Sequence, residues 1–204
     1  MARFDWYQAT VRAPVPDLRA VLAGLAPGGA WEPQRKAPHG YAFADRLVGP
    51  DGPVASVWWG GVHTHPHAVI SGEDAQAAAE LLRAELPDHS VSRADACIDY
   101  ADAGAYERLQ ALAVAVAREK RVKVGTAGDH LVTLVGRTVY LGATSSHTRL
   151  RLYDKAEELR VQFARDPVRL AAVPAELARL ECQVRPQTPE AKRAAAQVDP
   201  MVLM

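Results

Sequence analysis

The stretch Tyr140-Leu-Gly-Ala-Thr-Ser-Ser-His-Thr-Arg-Leu-Arg-Leu-Tyr-Asp-Lys155 ends in an alternation of polar and apolar residues. In an extended strand successive side chains point to opposite faces, so Arg149, Arg151, Tyr153 and Lys155 would share one face, opposite two leucines. A phenol has a pKa of about 10, and neighbouring positive charge favours its phenolate. The pattern therefore predicts a strand that presents Tyr153 as a nucleophile. An amphipathic strand with a solvated basic face is the alternative.

Two further segments show the same alternation. Residues 93–99 would place Arg93 and Asp95 on one face, and residues 179–185 would place Arg179, Glu181 and Arg185 on one face. The opposite faces are apolar and suited to pack on helices, which would leave the polar faces to line an open surface. If these strands are neighbours of the strand that carries Tyr153, their carboxylates would approach the phenol.

The acids on these faces are the predicted ligands of a divalent cation, because Mg²⁺ and Mn²⁺ prefer oxygen ligands. Asp95 and Glu181 are the first candidates, and Asp154 joins them only if the strand bulges or ends there. The cations are predicted to bind phosphate, since guanidinium groups donate paired hydrogen bonds to phosphate oxygens. Two of them, Arg151 and Lys155, would act at the scissile group. The predicted DNA contacts are Arg93, Arg149, Arg179 and Arg185.

At these residues the chain resembles the trans-acting replication initiation factors of rolling-circle plasmids and filamentous phages, which nick and join one DNA strand through a tyrosine. The elements that carry the resemblance are Ser92–Asp99, Val139-Tyr-Leu-Gly142, Arg151-Leu-Tyr-Asp-Lys155 followed by Glu158, and Arg179-Leu-Glu181. The resemblance implies a metal-dependent, origin-specific endonuclease in which Tyr153 attacks a phosphodiester. The tyrosine would stay joined to the 5′ phosphate while the released 3′ hydroxyl primes synthesis.

The resemblance also implies partners. These are origin DNA in double-stranded and single-stranded form, a second copy of the chain in a homodimer, and a host helicase. Relatives of this kind commonly carry further C-terminal helices, so residues 1–204 would form a single, minimal or truncated nicking domain.

Three other functions remain open from the sequence. The segment His63-Thr-His-Pro-His67 has the spacing by which a different class of relaxase binds metal, and on a strand His63, His65 and His67 would face the same way. A non-catalytic origin or operator binder would keep the basic face without turnover. The third function is that of a structural phage or plasmid protein, although burying the Arg, Asp and Glu side chains of three strands would then cost free energy without a function.

Composition sets broader limits. The chain has 24 basic and 24 acidic residues and no net charge, but residues 118–155 carry eight bases and three acids, whereas residues 73–107 carry nine acids and two bases. A local basic excess is typical of a phosphate-binding surface. The sequence shows no signal peptide and no apolar run of membrane-spanning length, which predicts a cytoplasmic protein without a membrane partner. Cys97 and Cys182 are predicted not to pair.

The order of apolar patterns and turn residues predicts an α+β fold with a curved, mainly antiparallel sheet and helices on its outer face. Strand, helix, several strands and helix follow one another twice, which predicts two pseudo-repeated halves at about residues 1–88 and 89–204. The predicted elements include a helix over 105–120 and strands over 130–141, 148–154 and 177–185. A capping-box-like start, Ser71-Gly-Glu-Asp74, is predicted for the helix that ends near Leu86.

Overall fold

The computed structural model describes all residues from Met1 to Met204. It contains seven helices, namely α1 (Val15–Ala23), α2 (Asp74–Glu85), α3 (Ala105–Lys120), α4 (Lys155–Gln162), α5 (Pro167–Ala171), α6 (Pro189–Ala195) and α7 (Pro200–Leu203). It contains ten strands, namely β1 (Arg3–Val11), β2 (Ala30–Pro33), β3 (Phe43–Gly49), β4 (Gly52–Trp59), β5 (His67–Ser71), β6 (His89–Tyr100), β7 (Val124–Ala127), β8 (Thr138–Leu141), β9 (Thr148–Asp154) and β10 (Ala178–Val184).

The strands are hydrogen-bonded in the order β2-β3-β4-β5-β1-β6-β10-β9-β8-β7. The pairs β1–β5, β2–β3, β3–β4, β4–β5, β7–β8 and β8–β9 are antiparallel. The predicted α+β class with a mainly antiparallel sheet is therefore confirmed. The internal repeat of the two halves stays a prediction.

The chain divides into two compact units. The N-terminal unit comprises Arg3–Ala96 and Val184–Leu203, and the tyrosine unit comprises Cys97–Gln183 with Met1, Ala2 and Met204. In the N-terminal unit, α1 and α2 pack on one face of β1, β4 and β5. Their apolar side chains join alternate residues of the strands in one core, because a strand with one buried face contributes every second residue.

In the tyrosine unit, α3 packs on β8 and β9. Leu152 of β9 and Val139 of β8 lie in this core with Tyr106 and Ala117 of α3. Because Leu152 is buried against the helix, Arg151 and Tyr153 lie on the other face of β9, as the alternation predicts. The observed bounds of α3 and β9 equal the predicted ones.

Other predicted elements differ from the structure. The strand predicted over 130–141 is reduced to β8, because Asp129 accepts hydrogen bonds from the backbone of Leu131, Val132 and Thr133 and folds residues 128–137 into a loop. The capping box predicted for α2 does not form, since its N-cap residue Glu73 makes no side-chain hydrogen bond to the helix. Both cysteines are buried, and no disulfide joins them, as predicted. No helix combines the length and apolar character that a membrane span requires.

Candidate active site

Tyr153 lies near the end of β9 with its hydroxyl in a buried hydrogen bond. The phenol oxygen donates to Glu181 Oε1 at 2.8 Å, and only 4% of Tyr153 and 7% of Glu181 are exposed. The two residues come from β9 and β10, which are hydrogen-bonded neighbours. The prediction that the acid of the 179–185 strand approaches Tyr153 is therefore correct, whereas the 93–99 strand is not a neighbour of β9, because β10 lies between β6 and β9.

The electrostatics of Tyr153 differ from the expectation of a phenolate. Burial raises the pKa of the Tyr153 phenol far above its usual value, and the negative charge of Glu181 raises that pKa further, whereas Arg179 lowers it. The expected effect of the cations is outweighed, because the sequence pattern shows neighbouring charge but not desolvation. Tyr153 is a protonated phenol at neutral pH, and its proton is held by a carboxylate.

Cations surround this hydrogen bond. The Arg151 guanidinium carbon lies 3.9 Å from the centre of the Tyr153 ring, and Arg151 Nη1 lies 3.6 Å from Glu181 Oε2. Lys155 is not part of the strand but the first residue of α4. Its ammonium nitrogen lies 5.9 Å from the Tyr153 ring centre and 3.0 Å from a carboxylate oxygen of Glu158. The two predicted catalytic cations thus lie beside Tyr153, each already paired with an acid.

A second ion pair joins β10, the neighbour of β9, to β6. Arg179 of β10 donates from Nε and Nη2 to the two carboxylate oxygens of Asp99 on β6, at 2.6 and 2.9 Å. Only 5% of Arg179 is exposed. A bidentate pair of this kind fixes the direction of both side chains. Asp99 was not predicted as a site residue, although the alternation of residues 93–99 places it on the polar face.

Other predicted site residues have different surroundings. Arg149 lies over the ring of Tyr140 with its guanidinium carbon at 3.9 Å from the ring centre. In the N-terminal unit, Arg93 binds Asp95 through two hydrogen bonds and lies 4.3 Å from the ring centre of Trp6. Arg185 follows the last residue of β10.

The metal ligands predicted from the sequence do not form a ready site. No group of three or more His, Cys, Asp and Glu side chains is arranged to hold a metal ion. The Asp154 carboxylate instead caps α4 by accepting a hydrogen bond from Glu157 N at 2.9 Å. Asp95 is bound to Arg93, and Glu181 to Tyr153. Each predicted ligand is thus engaged by another group of the protein, and the metal site stays a prediction.

The alternative metal site at the histidines is not supported. Only His67 lies on β5, whereas His63 and His65 belong to the preceding loop. His63 stacks on Tyr41 with a ring-centre distance of 3.8 Å, and His67 is buried and hydrogen-bonded to Thr10 Oγ1 at 3.0 Å. The expectation that the three side chains face the same way on one strand is therefore wrong.

An open cleft of about 350 Å³ in the tyrosine unit is lined by Tyr153 and Arg151. Arg137, which sequence reasoning did not single out, lines it too. The Nε–H groups of Arg137, Arg149 and Arg151 are buried without a hydrogen-bond acceptor in the protein. A buried donor without an acceptor is costly, so these side chains are suited to an incoming anion. The signal in the sequence was the basic excess of residues 118–155.

Comparison with solved structures shows what the fold is similar to. A solved structure of a rolling-circle replication initiator protein from Geobacillus stearothermophilus superposes with a TM-score of 0.66 at 21% sequence identity, covering 96% of this chain and 77% of that chain. The chain has the fold of a rolling-circle replication initiator. The resemblance predicted from the strand motifs is thereby confirmed for the fold. No protein-family model matches the sequence, and no curated protein matches it significantly.

Proposed function

We propose that the chain is a rolling-circle replication initiator that nicks and rejoins one strand of origin DNA through Tyr153. The observation that carries the proposal is the buried hydrogen bond from the Tyr153 hydroxyl to Glu181 at 2.8 Å, beside the guanidinium of Arg151. A nucleophile in contact with a base, next to cations that suit a phosphate, is the arrangement that transfer of a phosphodiester to a protein oxygen requires. The fold of a known initiator agrees with this chemistry.

Nicking begins with the loss of the phenol proton. Because the pKa of Tyr153 is raised above its usual value, the free phenolate is scarce at neutral pH. Glu181 accepts the proton as the phenol oxygen attacks phosphorus, since it already lies within hydrogen-bond distance of that proton. The new bond joins the Tyr153 oxygen to the 5′ phosphate. The bond from phosphorus to the 3′ oxygen breaks, and the leaving 3′ oxygen takes a proton from water.

The cations stabilise the charge that develops on the phosphoryl oxygens. Arg151 is the first candidate, because it lies over the Tyr153 ring and has a buried Nε–H without an acceptor. Lys155 would exchange part of its contact with Glu158 for a phosphate oxygen. Rejoining reverses the steps, with a 3′ hydroxyl attacking the phosphotyrosine. One phosphoester replaces another at each stage, so joining needs no nucleotide cofactor.

The requirement for Mg²⁺ or Mn²⁺ stays a prediction from the resemblance. So do the homodimer and the recruitment of a host helicase. A metal would supply Lewis-acid polarisation of the phosphodiester. Excess EDTA is expected to stop nicking and to leave DNA binding intact, which a gel of plasmid forms and a mobility-shift gel check together.

The experiment that tests the function uses a supercoiled plasmid that carries the DNA flanking the gene. Incubation with the chain and Mg²⁺ or Mn²⁺ is expected to produce open circles with protein attached to a 5′ end. A non-catalytic origin or operator binder would retard the plasmid on a gel without opening it. Supercoiled DNA that stays closed under all metal conditions, while protein binds it, would replace the nicking function with that of a binder.

A further inference from the structure

Five rings form a cluster in the N-terminal unit, outside the tyrosine site. Trp58 of β4 stacks on His67 of β5 with a ring-centre distance of 5.5 Å and an interplanar angle of 24°. Tyr41 lies 6.0 Å from Trp58 and stacks on His63 at 3.8 Å. His39 completes the set at 5.7 Å from Trp58. These five residues, His39, Tyr41, Trp58, His63 and His67, are called the aromatic cluster below.

The aromatic cluster lies on the sheet face that the helices leave open. Val57 is fully buried in the core with α1 and α2, and its neighbour Trp58 therefore points to the opposite face. Trp58 and Tyr41 are only half-buried, and His39 is exposed. Ordinary core aromatics would be covered by helices. These rings keep part of their surface open instead.

Close loop contacts hold the rings in place. A side chain at Gly61, which has φ +69°, would clash with the carbonyl oxygen of Gly40. The backbones of the loops before β3 and after β4 therefore lie in close contact at these glycines. The imidazole of His63 also hydrogen-bonds the carbonyl oxygen of His39 at 2.8 Å. Rings held in this way lose little conformational freedom when a flat partner stacks on them.

The chain segments that carry the aromatic cluster contain no acidic residue. Residues 33–44 and 52–72 contain no Asp or Glu, whereas Arg35 and Lys36 stand in the first of these segments. Burial lowers the pKa of His67 to about 4, and the charges of His39 and His63 add to this effect, so His67 is a neutral ring at pH 7. Flat rings on segments that carry cations and no acid suit a polyanion whose bases are unpaired, because bases stack on the rings while phosphates are attracted to the cations.

A further ring lies on the same open face. His67 hydrogen-bonds Thr10 of β1, and Trp6 lies four residues along that strand, a rise of roughly 13 Å. Trp6 has the guanidinium of Arg93 over its ring at 4.3 Å. Aromatic rings at both ends of such a distance, with polar residues between them, match a short run of nucleotides more closely than one small ligand.

We propose that the aromatic cluster is a stacking platform for unpaired bases of single-stranded DNA. This proposal rests on the proposed function, because nicking at the origin is what would expose single-stranded DNA to the protein. It adds a binding site in the N-terminal unit to the tyrosine site. No sequence readout is implied, since stacking accepts any base.

The test measures the affinity for fluorescein-labelled oligo(dT) by anisotropy, in a Tyr153→Phe background that prevents covalent attachment. Trp58→Leu and Tyr41→Ala are expected to weaken binding by about tenfold or more each, because removing one ring on which a base stacks costs that much. Trp58→Phe, which keeps a ring, should retain most of the affinity. Phe43→Ala is the matched control, since Phe43 is 58% exposed but stacks on Trp59 outside the cluster.

Circular dichroism checks that each variant is folded, and cross-linking to bromodeoxyuridine strands gives an independent readout. Cross-linked peptides containing Tyr41 or Trp58 support the platform. Folded Trp58→Leu and Tyr41→Ala variants that bind as tightly as the Phe43→Ala control would overturn it. The plasmid assay on the unaltered chain reports the nicking function separately. If the unaltered chain nicks and the Trp58→Leu and Tyr41→Ala variants bind oligo(dT) normally, only the platform is contradicted. If these variants bind oligo(dT) weakly and the unaltered chain does not nick, only the nicking function is contradicted.

Discussion

Tyr153 and Tyr140 each have an arginine guanidinium over the ring, but the surroundings of their hydroxyl groups differ. The guanidinium carbon of Arg151 lies 3.9 Å from the Tyr153 ring centre, and that of Arg149 lies 3.9 Å from the Tyr140 ring centre. Tyr153 donates its proton to Glu181, whereas Tyr140 is half-buried and makes no side-chain hydrogen bond. A cation over the ring therefore does not distinguish the two phenols. The carboxylate that can take the proton does.

The largest expected effect comes from removing one oxygen from each tyrosine. Tyr153→Phe should abolish the covalent protein–DNA adduct on a single-stranded oligonucleotide that carries the nick site. Tyr140 should not replace it as the nucleophile, because the Tyr140 phenol has no carboxylate to accept its proton. Tyr140→Phe should keep the adduct, at a rate within about tenfold of the unaltered chain. A denaturing gel with labelled DNA measures both. An adduct that survives in the first variant and disappears in the second would reverse the roles.

The next effect concerns the carboxylate. Glu181→Gln should slow nicking by about 10²- to 10⁴-fold, the usual contribution of a positioned base. DNA binding should change by less than about tenfold, since phosphate contacts dominate affinity. The control is Glu158→Gln, which removes an exposed partner of Lys155 and leaves the Tyr153 hydrogen bond intact. Equal reductions of the nicking rate in the two variants would contradict a role for Glu181 as the base.

The Glu181→Gln variant also shows whether Glu181 acts as a base or as a metal ligand. A missing base cannot be replaced by more metal, so nicking by Glu181→Gln should stay slow at saturating Mn²⁺. Its rate should instead rise with pH, because the phenolate must then form without help and the pKa of Tyr153 is raised. Recovery of the full rate at high Mn²⁺ would assign Glu181 to the metal. Asp95→Asn is measured alongside, because Asp95 is the other predicted ligand and nicking should fall if it holds the cation.

A smaller effect, on stability, is expected from the ion pair between Arg179 of β10 and Asp99 of β6. Asp99→Asn leaves the buried Arg179 without its bidentate carboxylate and should lower the free energy of unfolding by about 3 kcal/mol. The matched control is Asp88→Asn, whose partner Arg12 is 40% exposed in the side chain, and which should cost less than about 1 kcal/mol. Urea unfolding measures both. Equal costs would mean that Asp99 and Arg179 do not support the site.

The smallest effect divides the two arginines. Arg149→Ala should lower the slope of log affinity against log salt concentration by about 0.9 for each phosphate that the protein no longer neutralises, with little change in the rate of nicking at saturating DNA. Arg151→Ala should chiefly lower that rate, because Arg151 contacts both Tyr153 and Glu181. Binding titrations at several salt concentrations and single-turnover nicking check the division. Identical profiles for the two variants would contradict this division of roles between Arg149 and Arg151.

Much of the tyrosine unit could be predicted from the sequence because its elements have strict periodicity. The bounds of α3 and β9 follow from helical spacing and from alternation, and the approach of Glu181 to Tyr153 follows from the polar face of the 179–185 strand. Alternation shows which side chains share a face. It does not show how deeply that face is buried, so the shift in the pKa of Tyr153 was predicted with the opposite sign.

The remaining misses have local causes. Helix α4 was not predicted, because its residues lack an apolar stripe and only the structure shows Asp154 acting as its cap. That cap also takes Asp154 out of the predicted ligand set. The pairing of Arg179 with Asp99 and the ring contacts of Tyr41 join residues far apart in the chain or in loops. Their spacing carries no signal of contact.

The measurement that tests the central claim most directly is the mapping of the nucleotide-bearing peptide. The chain is reacted with a single-stranded oligonucleotide carrying the nick site, the DNA is trimmed, and the adducted peptide is sequenced by mass spectrometry. The account predicts a nucleotide on the Tyr153 oxygen, in the peptide that contains Leu152 and Asp154. A nucleotide on Tyr140, or on any other tyrosine, would contradict it.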